Sequence, residues 1–297
     1  MKGQIADRYE RGEDADQGLK ISRKRRKPQG KRKLAALSVG TDAKDPVLTQ
    51  LEDLGLIGDV LSEIKSGKEA TVYLAEGDPD QGVAGLIALK IYRDVAARSF
   101  KNTGEYGTGL ARSSDAVAKA IAKRGSKGAA ALQDLWVASE YLVLWQLWQA
   151  GLNVPEPLVG PDPYDYVQTS PAVLMRFVGD EDAPAPRLSD IRLSPEDART
   201  AWQQALEGMA RLLKLDLVHG DYSTYNLLWW EGSVMMIDFP QVSDRTNPNF
   251  QSLLKRDAES LAQSFRRLGI REDAESTLRE VQRLARTLAD KPRLTLP

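Results

Sequence analysis

The sequence predicts an α+β fold in two lobes, a small lobe built mainly of β-strands with one long helix and a larger lobe built mainly of helices. Short segments rich in β-branched and aromatic residues cluster in the first third of the chain, and longer segments with helical periodicity fill its second half. A pair of apolar runs around the Glu231-Gly232 turn predicts one hairpin between the late helices. The chain has 297 residues, a length that suits one two-lobed domain with an extension or two modest domains.

Each predicted element follows from a local signal. Ser194, followed by Pro195 and two acidic residues, is typical of a helix start, because serine accepts a bond from a free N–H and acids favour the positive helix end. The polar stretch 99–128 predicts a mobile loop with a short helix at 115–123. The predicted strands are 61–65, 70–75, 86–93, 172–177, 226–230 and 233–237, and the predicted helices are 47–54, 131–149, 194–215, 251–268 and 272–288. The small lobe is expected to span 45–180 and the larger lobe 181–297.

Composition excludes several classes of site. The chain has no cysteine and one histidine, so disulfides, thiolate zinc sites, cysteine nucleophiles and multi-histidine metal sites are ruled out. The net charge of -1 does not indicate a polyanionic partner for the molecule as a whole. No apolar stretch approaches the ~20 residues that span a bilayer, and the polar start resembles no signal peptide. These features predict a soluble, cytoplasmic protein with no membrane partner.

The first 44 residues are predicted to form a disordered, charged tail. The run from Lys20 to Lys33 is densely basic, and like charges repel each other and bury little apolar surface. Two interpretations stay open for this run. It is either a solvated tail or a segment that contacts the phosphates of RNA, for instance ribosomal RNA.

A spaced set of polar residues in the second half of the chain carries the chemistry. The pattern His-x-Asp-x-x-x-x-Asn occupies residues 219–226, and after the hairpin an apolar run ends at Asp238. Phosphoryl transfer requires a protein to orient a hydroxyl toward the γ-phosphate of ATP and to neutralise charge with magnesium. Asp221 is placed to orient the hydroxyl, and Asn226 and Asp238 offer the oxygen ligands that Mg²⁺ prefers. The spacing therefore predicts a protein-kinase-like fold. His219 is interpreted as a structural residue that holds the loop by hydrogen bonds rather than as a general base.

Two charged residues stand in apolar surroundings. Lys90 lies inside the apolar run 86–92, and Glu140 lies in a helix between Val137 and Val143. A buried charge is costly unless it is paired, so the two side chains are expected to form an ion pair that steers the α- and β-phosphates of ATP.

Two further segments are expected to enclose ATP. The turn at 66–72 lies between predicted strands and either covers the phosphates or is a plain hairpin. It is neither a Walker A loop nor a G-x-G-x-x-G loop. The strand 173–178 would form the hinge under the adenine, with Met175 facing the back of the pocket. The residues expected to contact ATP are Ser66, Gly67, Lys68 and Val72 in the turn, Lys90 and Glu140 in the pair, and Met175, Arg176 and Val178 in the hinge.

Together these motifs resemble the RIO family of atypical protein kinases. The run Ser-Gly-Lys-Glu-Ala-Thr-Val at 66–72 resembles the family's phosphate lid, Trp136-x-x-x-Glu140 its helix, and His219–Asn226 with Asp238 its catalytic and metal loops. The resemblance covers about residues 51–268 and is nearest to the subfamily without an N-terminal winged helix. It implies that Asp221 is the catalytic acceptor, that Asn226 and Asp238 hold magnesium, and that Lys90, Arg176 and Val178 contact ATP. The chain also lacks an A-P-E segment after Asp238, as the family does.

Three functions stay open at this point. The first is an autophosphorylating serine/threonine protein kinase, with Ser99, Ser113, Ser114 or Ser126 as local targets. The second, implied by the resemblance, is a ribosome-associated ATPase switch that forms an aspartyl-phosphate at Asp238 and uses the basic tail to bind RNA. The third is a small-molecule kinase, because His-Gly-Asp together with Ile-Asp-Phe is also the pattern of aminoglycoside and choline kinases.

Overall fold

The computed structural model describes residues 45–67, 70–81, 83–93, 126–161 and 163–289. A four-stranded antiparallel sheet forms the centre of the first lobe, and helices make up most of the second. The predicted α+β class and its two-lobed arrangement are confirmed. The basic tail, Lys68 of the turn, most of the segment 99–128 and its predicted helix at 115–123 lie outside the described residues.

The sheet of the first lobe has its strands in sequence order. Its members are β1 (Ile57–Ser66), β2 (Ala70–Gly77), β3 (Leu86–Tyr92) and β4 (Ala172–Arg176), and every neighbouring pair is antiparallel. Strand β1 begins at Ile57, four residues before its predicted start at residue 61. Gly58 and Asp59 are poor strand formers, and β1 pairs with β2 through several register shifts, so no clean alternation marks its first half.

Three helices accompany this sheet: α1 (Pro46–Asp53), α2 (Ser126–Gln149) and α3 (Pro163–Thr169). Helix α2 begins inside the segment that the sequence predicts as loop, so the predicted loop end at residue 128 is wrong. Helix α3 was not predicted, because its seven residues carry no helical periodicity that stands out. It is held by tertiary packing, since the rings of Tyr141 and Tyr166 stack with their centroids 4.6 Å apart.

The second lobe contains the predicted helices and hairpin. Ser194 accepts a hydrogen bond from the N–H of Asp197 at 3.0 Å, which confirms the predicted helix cap. The strands β5 and β8 are two residues long and pair with each other, and sequence alone did not reveal them. The elements are α4 (Pro195–Lys214), β5 (Leu217–Val218), β6 (Leu227–Trp230), β7 (Ser233–Met236), β8 (Ser243–Asp244), α5 (Phe250–Phe265) and α6 (Ala274–Thr287).

One connector ties the two lobes at the hairpin. The Asn153 side chain donates to the carbonyl of Val234 at 2.7 Å, and the N–H of Met236 donates to the carbonyl of Asn153 at 2.9 Å. The hairpin that carries the candidate site is therefore fixed to the end of the first lobe. None of the helices in the described segments is long and apolar enough to cross a bilayer.

Replacing Asp273 by alanine is expected to weaken helix α6. The Asp273 carboxylate accepts a hydrogen bond from the N–H of Ser276 at 2.7 Å, and this bond lowers the pKa of Asp273. A carboxyl with a lowered folded pKa contributes stability above its unfolded pKa and loses it as the pH falls through the folded value. We expect a fall in the thermal unfolding midpoint of about 2–4 °C at pH 7. The difference from the parent protein should shrink below about pH 4, and an unchanged difference there would contradict this assignment.

Candidate active site

The segment between β5 and β6 brings two predicted site residues together. A short 3₁₀ turn at Thr224–Asn226 points Asn226 back toward Asp221. The Asn226 side-chain amide donates to the backbone carbonyl of Asp221 at 2.9 Å and to its carboxylate at 3.0 Å. The turn is itself capped by Ser223, whose hydroxyl accepts from the N–H of Tyr225 at 3.4 Å. The Asp221 carboxylate is exposed, so its orientation is fixed while it stays open to a reactant.

Helix α5 anchors this loop through a residue that the sequence analysis missed. Asp257 is 1% exposed, and its two carboxylate oxygens accept from the N–H groups of Gly220 at 2.9 Å and Tyr222 at 3.1 Å. The residues on either side of Asp221 are therefore both held by one side chain. Burial raises the pKa of Asp257, and the two N–H donors oppose that shift. A signal was available, because Asp257 is a lone acid on the apolar stripe of α5 that contains Leu254 and Leu261.

Replacing Asp257 by asparagine is expected to release the loop. The amide that replaces one carboxylate oxygen cannot accept a hydrogen bond, so one buried N–H is left facing another N–H. We expect destabilisation of about 1–3 kcal/mol, measured by urea unfolding. Amide hydrogen exchange at Gly220 and Tyr222 should accelerate more than exchange in α6. The exposed Asp53→Asn is the matched control, and equal protection of the loop in both variants would contradict the anchoring role.

His219 lies buried behind the loop. It is 1% exposed, and its ring centroid lies 5.5 Å from that of Tyr222 and 5.6 Å from that of Phe239. Within the described part of the chain neither ring nitrogen has a hydrogen-bond partner. The expectation that His219 holds the loop by hydrogen bonds is therefore wrong, and aromatic packing fixes it instead. Gly220 follows with a φ of 82°, and a Cβ there would lie 2.6 Å from the carbonyl oxygen of Gln241.

Asp238 and Asn226 form the candidate magnesium site. The N–H of Ile237 donates to the carbonyl of Asn226 at 3.0 Å, so the residue before Asp238 is bonded directly to Asn226. Because the two hydrogen bonds of the Asn226 side chain involve its nitrogen, its amide oxygen is available to bind a cation. Burial alone would raise the pKa of Asp238, but the Lys90 ammonium lowers it below its ordinary value, so the carboxylate is ionised at neutral pH. An amide oxygen and a carboxylate oxygen are donors that suit Mg²⁺, and the residues fit that ion.

Lys90 joins the two lobes at the centre of the site. Its ammonium lies 2.7 Å from a carboxylate oxygen of Glu140 and 2.7 Å from one of Asp238. The predicted Lys90–Glu140 pair is confirmed. Burial would lower the pKa of Lys90, yet the two carboxylates raise it above its ordinary value. Glu140 is 3% exposed, and burial raises its pKa against the effect of Lys90. The arrangement holds a permanent cation beside the ionised Asp238.

The turn between β1 and β2 is only partly described. The N–H of Gly67 donates to the carbonyl of Ala70 at 2.9 Å, and Lys68 lies outside the described residues. The Ser66 hydroxyl accepts a hydrogen bond from Arg93, so this predicted contact of ATP already has a protein partner. Val72 pairs directly with Lys90 and shares its sheet face. The role of this turn in binding ATP stays a prediction.

The hinge strand β4 presents alternate residues to the site. Met175 pairs with Ala88, two residues from Lys90, and so projects to the same sheet face. Arg176 projects to the other face, where its guanidinium lies 3.1 Å from the Glu156 carboxylate. The N–H of Arg176 also donates to Glu156, at 2.7 Å, so of its backbone groups only the carbonyl is left for a purine. The N–H of Val178 has no hydrogen-bond acceptor among the described residues.

Comparison with known proteins agrees with this geometry. A model of the RIO domain matches residues 71–278. The RIO-type serine/threonine-protein kinase Rio1 of Haloferax volcanii is 34% identical over 80% of this chain and 74% of its own length. Serine/threonine-protein kinase RIO3 of Homo sapiens is 26% identical over 79% of this chain but 44% of its own length. Serine/threonine-protein kinase RIO1 of Caenorhabditis elegans is 29% identical over 75% of this chain and 40% of its own length.

The match to the family model covers β2 from its second residue, the Lys90–Glu140 pair, the segment that contains Asp221 and Asn226, and helix α5. The chain thus covers most of the archaeal relative and less than half of the two animal ones. The family resemblance that the motifs indicated is confirmed, and this chain belongs to the RIO family.

Proposed function

We propose that this chain is an ATP-dependent serine/threonine protein kinase that transfers the γ-phosphoryl group to a protein hydroxyl. The observation that carries the proposal is the cluster in which Lys90 bonds both Glu140 and Asp238, while Asn226 bonds both Asp221 and the strand that leads to Asp238. It brings a proton acceptor, two oxygen ligands and a fixed cation to one cleft. The names of the relatives, all serine/threonine-protein kinases, support the same activity.

Each residue has a role that its surroundings permit. The Asp221 carboxylate accepts the proton of the acceptor hydroxyl while that oxygen forms a bond to the γ-phosphorus and ADP leaves. Asn226 and Asp238 would hold magnesium, which neutralises charge on the phosphates when bound. Lys90 lies where its ammonium can contact phosphate oxygens, and Glu140 keeps it in place. Ser66, Gly67, Lys68 and Val72 would cover the phosphates.

The remaining contacts concern the base. We infer that the carbonyl of Arg176 and the N–H of Val178 bind the purine edge, with Met175 at the back of the pocket. The lobes would divide near residue 180, in the hinge that follows β4. The lack of cysteine suits a reducing compartment, which supports a cytoplasmic location.

A second candidate function is an ATPase switch in which Asp238 itself accepts the phosphoryl group. The Asp238 carboxylate is 42% exposed and ionised, so it is available as a nucleophile. Only the short stretch 239–249, with the two-residue strand β8, lies between Asp238 and α5, which leaves little chain for docking a peptide. The basic run from Lys20 to Lys33 would add contact with ribosomal RNA.

The two candidate functions predict different phosphate linkages: an ester on serine or threonine for the kinase, and an acyl phosphate on Asp238 for the ATPase switch. We would incubate the full chain with [γ-³²P]ATP and Mg²⁺, with and without a serine/threonine peptide library, and analyse the product chemically. Phosphoserine or phosphothreonine, stable to acid, is expected for a kinase. Label released by hydroxylamine and absent from Asp238→Asn indicates the aspartyl-phosphate. Turnover that only a small metabolite stimulates would overturn both in favour of a small-molecule kinase.

A further inference from the structure

A row of residues runs straight across the sheet of the first lobe. Lys65 pairs with Val72, Val72 with Lys90, and Lys90 with Val173. Directly paired residues of antiparallel strands project to the same face. Because the Lys90 ammonium contacts Glu140 and Asp238 in the cleft, Lys65 projects from β1 toward the cleft as well. Two strand spacings of ~4.8 Å separate it from Lys90, or roughly 10 Å.

A second cation, Arg187, lies beside the hairpin that follows Asn226. Arg187 forms an isolated antiparallel bridge with Leu228, which lies in β6 two residues after Asn226. The N–H of Leu188 donates to the carbonyl of Leu227 at 2.9 Å, and the N–H of Trp229 donates to that of Pro186 at 2.9 Å. These bonds fix the backbone of Arg187 beside the hairpin that carries the catalytic loop.

The charges that act on Lys65 include those of Arg187 and Lys90. Burial lowers the pKa of the Lys65 ammonium, and Arg187 and Lys90 lower it further, while Asp238 and Asp190 oppose the shift. These effects agree with a position of Lys65 on the same side of the sheet as Asp238 and Arg187. Neither the Lys65 ammonium nor the Arg187 guanidinium has a hydrogen-bond or ion-pair partner among the described residues. Two neighbouring cations repel each other, and an anion that contacts both would offset the repulsion.

We propose that Lys65 and Arg187 form a pair of cations that both contact the polyphosphate chain of a nucleoside triphosphate. The proposal rests on the proposed function and adds two residues to the phosphate contacts of Lys90. Extended polyanions suit this arrangement because the three cations are spread along the cleft. A nucleoside monophosphate, with one phosphate near the base, would gain little from the outer pair.

The test is isothermal titration of the full chain with ATP, AMP and inorganic tripolyphosphate. Lys65→Gln and Arg187→Gln each remove one charge-assisted contact, and we expect each to weaken ATP binding about tenfold. Binding of AMP should change less than about threefold. Lys255→Gln and Arg271→Gln, at exposed positions on and after α5, make the same change of net charge and should leave ATP binding as it is.

Charge-conserving variants separate binding from folding. Lys65→Arg and Arg187→Lys should keep most of the ATP affinity, and a loss as large as in the glutamine variants would overturn the proposal in favour of a structural role. Equal ATP affinity of the parent and the glutamine variants would overturn the cation pair and leave the kinase proposal standing. A parent chain that binds neither ATP nor tripolyphosphate would overturn both. A parent chain that binds tripolyphosphate but not ATP, together with glutamine variants that lose tripolyphosphate binding, would support the Lys65–Arg187 pair and overturn the kinase proposal.

Discussion

Replacing Asp221 by asparagine is expected to lower kcat for phosphoryl transfer by about 10²–10⁴-fold. Asparagine has the shape of aspartate, so the bond from the Asn226 amide to the side chain at 221 can persist. The new side chain cannot accept the proton of the acceptor hydroxyl, however. The affinity for ATP should stay within about twofold, because the proposed nucleotide contacts lie on other residues. Transfer from labelled ATP to a serine peptide gives kcat, and titration with ATP gives the affinity.

The control for this variant is Asp53→Asn, which removes the same charge at an exposed position at the end of α1. A variant at 221 that keeps more than half of the parent kcat would rule out Asp221 as the proton acceptor. A fall in ATP affinity as large as the fall in kcat would show instead that the loop had been displaced. The anchoring of Gly220 and Tyr222 by Asp257 makes displacement by an isosteric change unexpected.

Charged residues in apolar surroundings show how far the sequence predicts this site. The Lys90–Glu140 ion pair could be predicted because each residue lies in an apolar segment, needs a partner of opposite charge and finds one in the other. Asp257 shows the same misfit in an apolar helix, but its partners are backbone N–H groups. Backbone donors are present at every residue except proline and leave no mark in a sequence, so this anchor became visible only with the fold.

Other features depend on the register between strands. Lys65 and Lys90 are far apart in sequence, and only the pairing of β1 with β2 and of β2 with β3 places them on one face. A slip of one residue in β1 would turn Lys65 away from the cleft. The register shifts within β1 interrupt the alternation of buried and exposed residues, so the start of this strand could not be predicted from the sequence. The spacing of His219, Asp221 and Asn226, by contrast, is local, and a local pattern predicts local geometry well.

Replacing Lys90 by methionine is expected to have the largest effect on folding. The substitution leaves Glu140 buried with no cation beside it and removes the partner of Asp238. Breaking a buried ion pair by removing one partner costs about 3–5 kcal/mol, which urea unfolding at pH 7 would measure. Lys255→Met, at an exposed position, is the matched control and should change stability by less than about 0.5 kcal/mol.

The Lys90–Glu140 pair also predicts how the stability deficit of Lys90→Met depends on pH, and it suggests a second variant that tests the cause. Burial already raises the pKa of Glu140 in the presence of Lys90, so without Lys90 the folded protein favours the protonated carboxyl still more. A carboxyl with a raised folded pKa binds more protons when folded, so the deficit of Lys90→Met should shrink as the pH falls from 7 toward about 4.5. Adding Glu140→Gln to Lys90→Met removes the uncompensated charge and should recover at least about half of the loss at pH 7. A deficit that grows on acidification, or a double variant less stable than Lys90→Met alone, would show that Lys90 stabilises the fold by packing and not by pairing with Glu140.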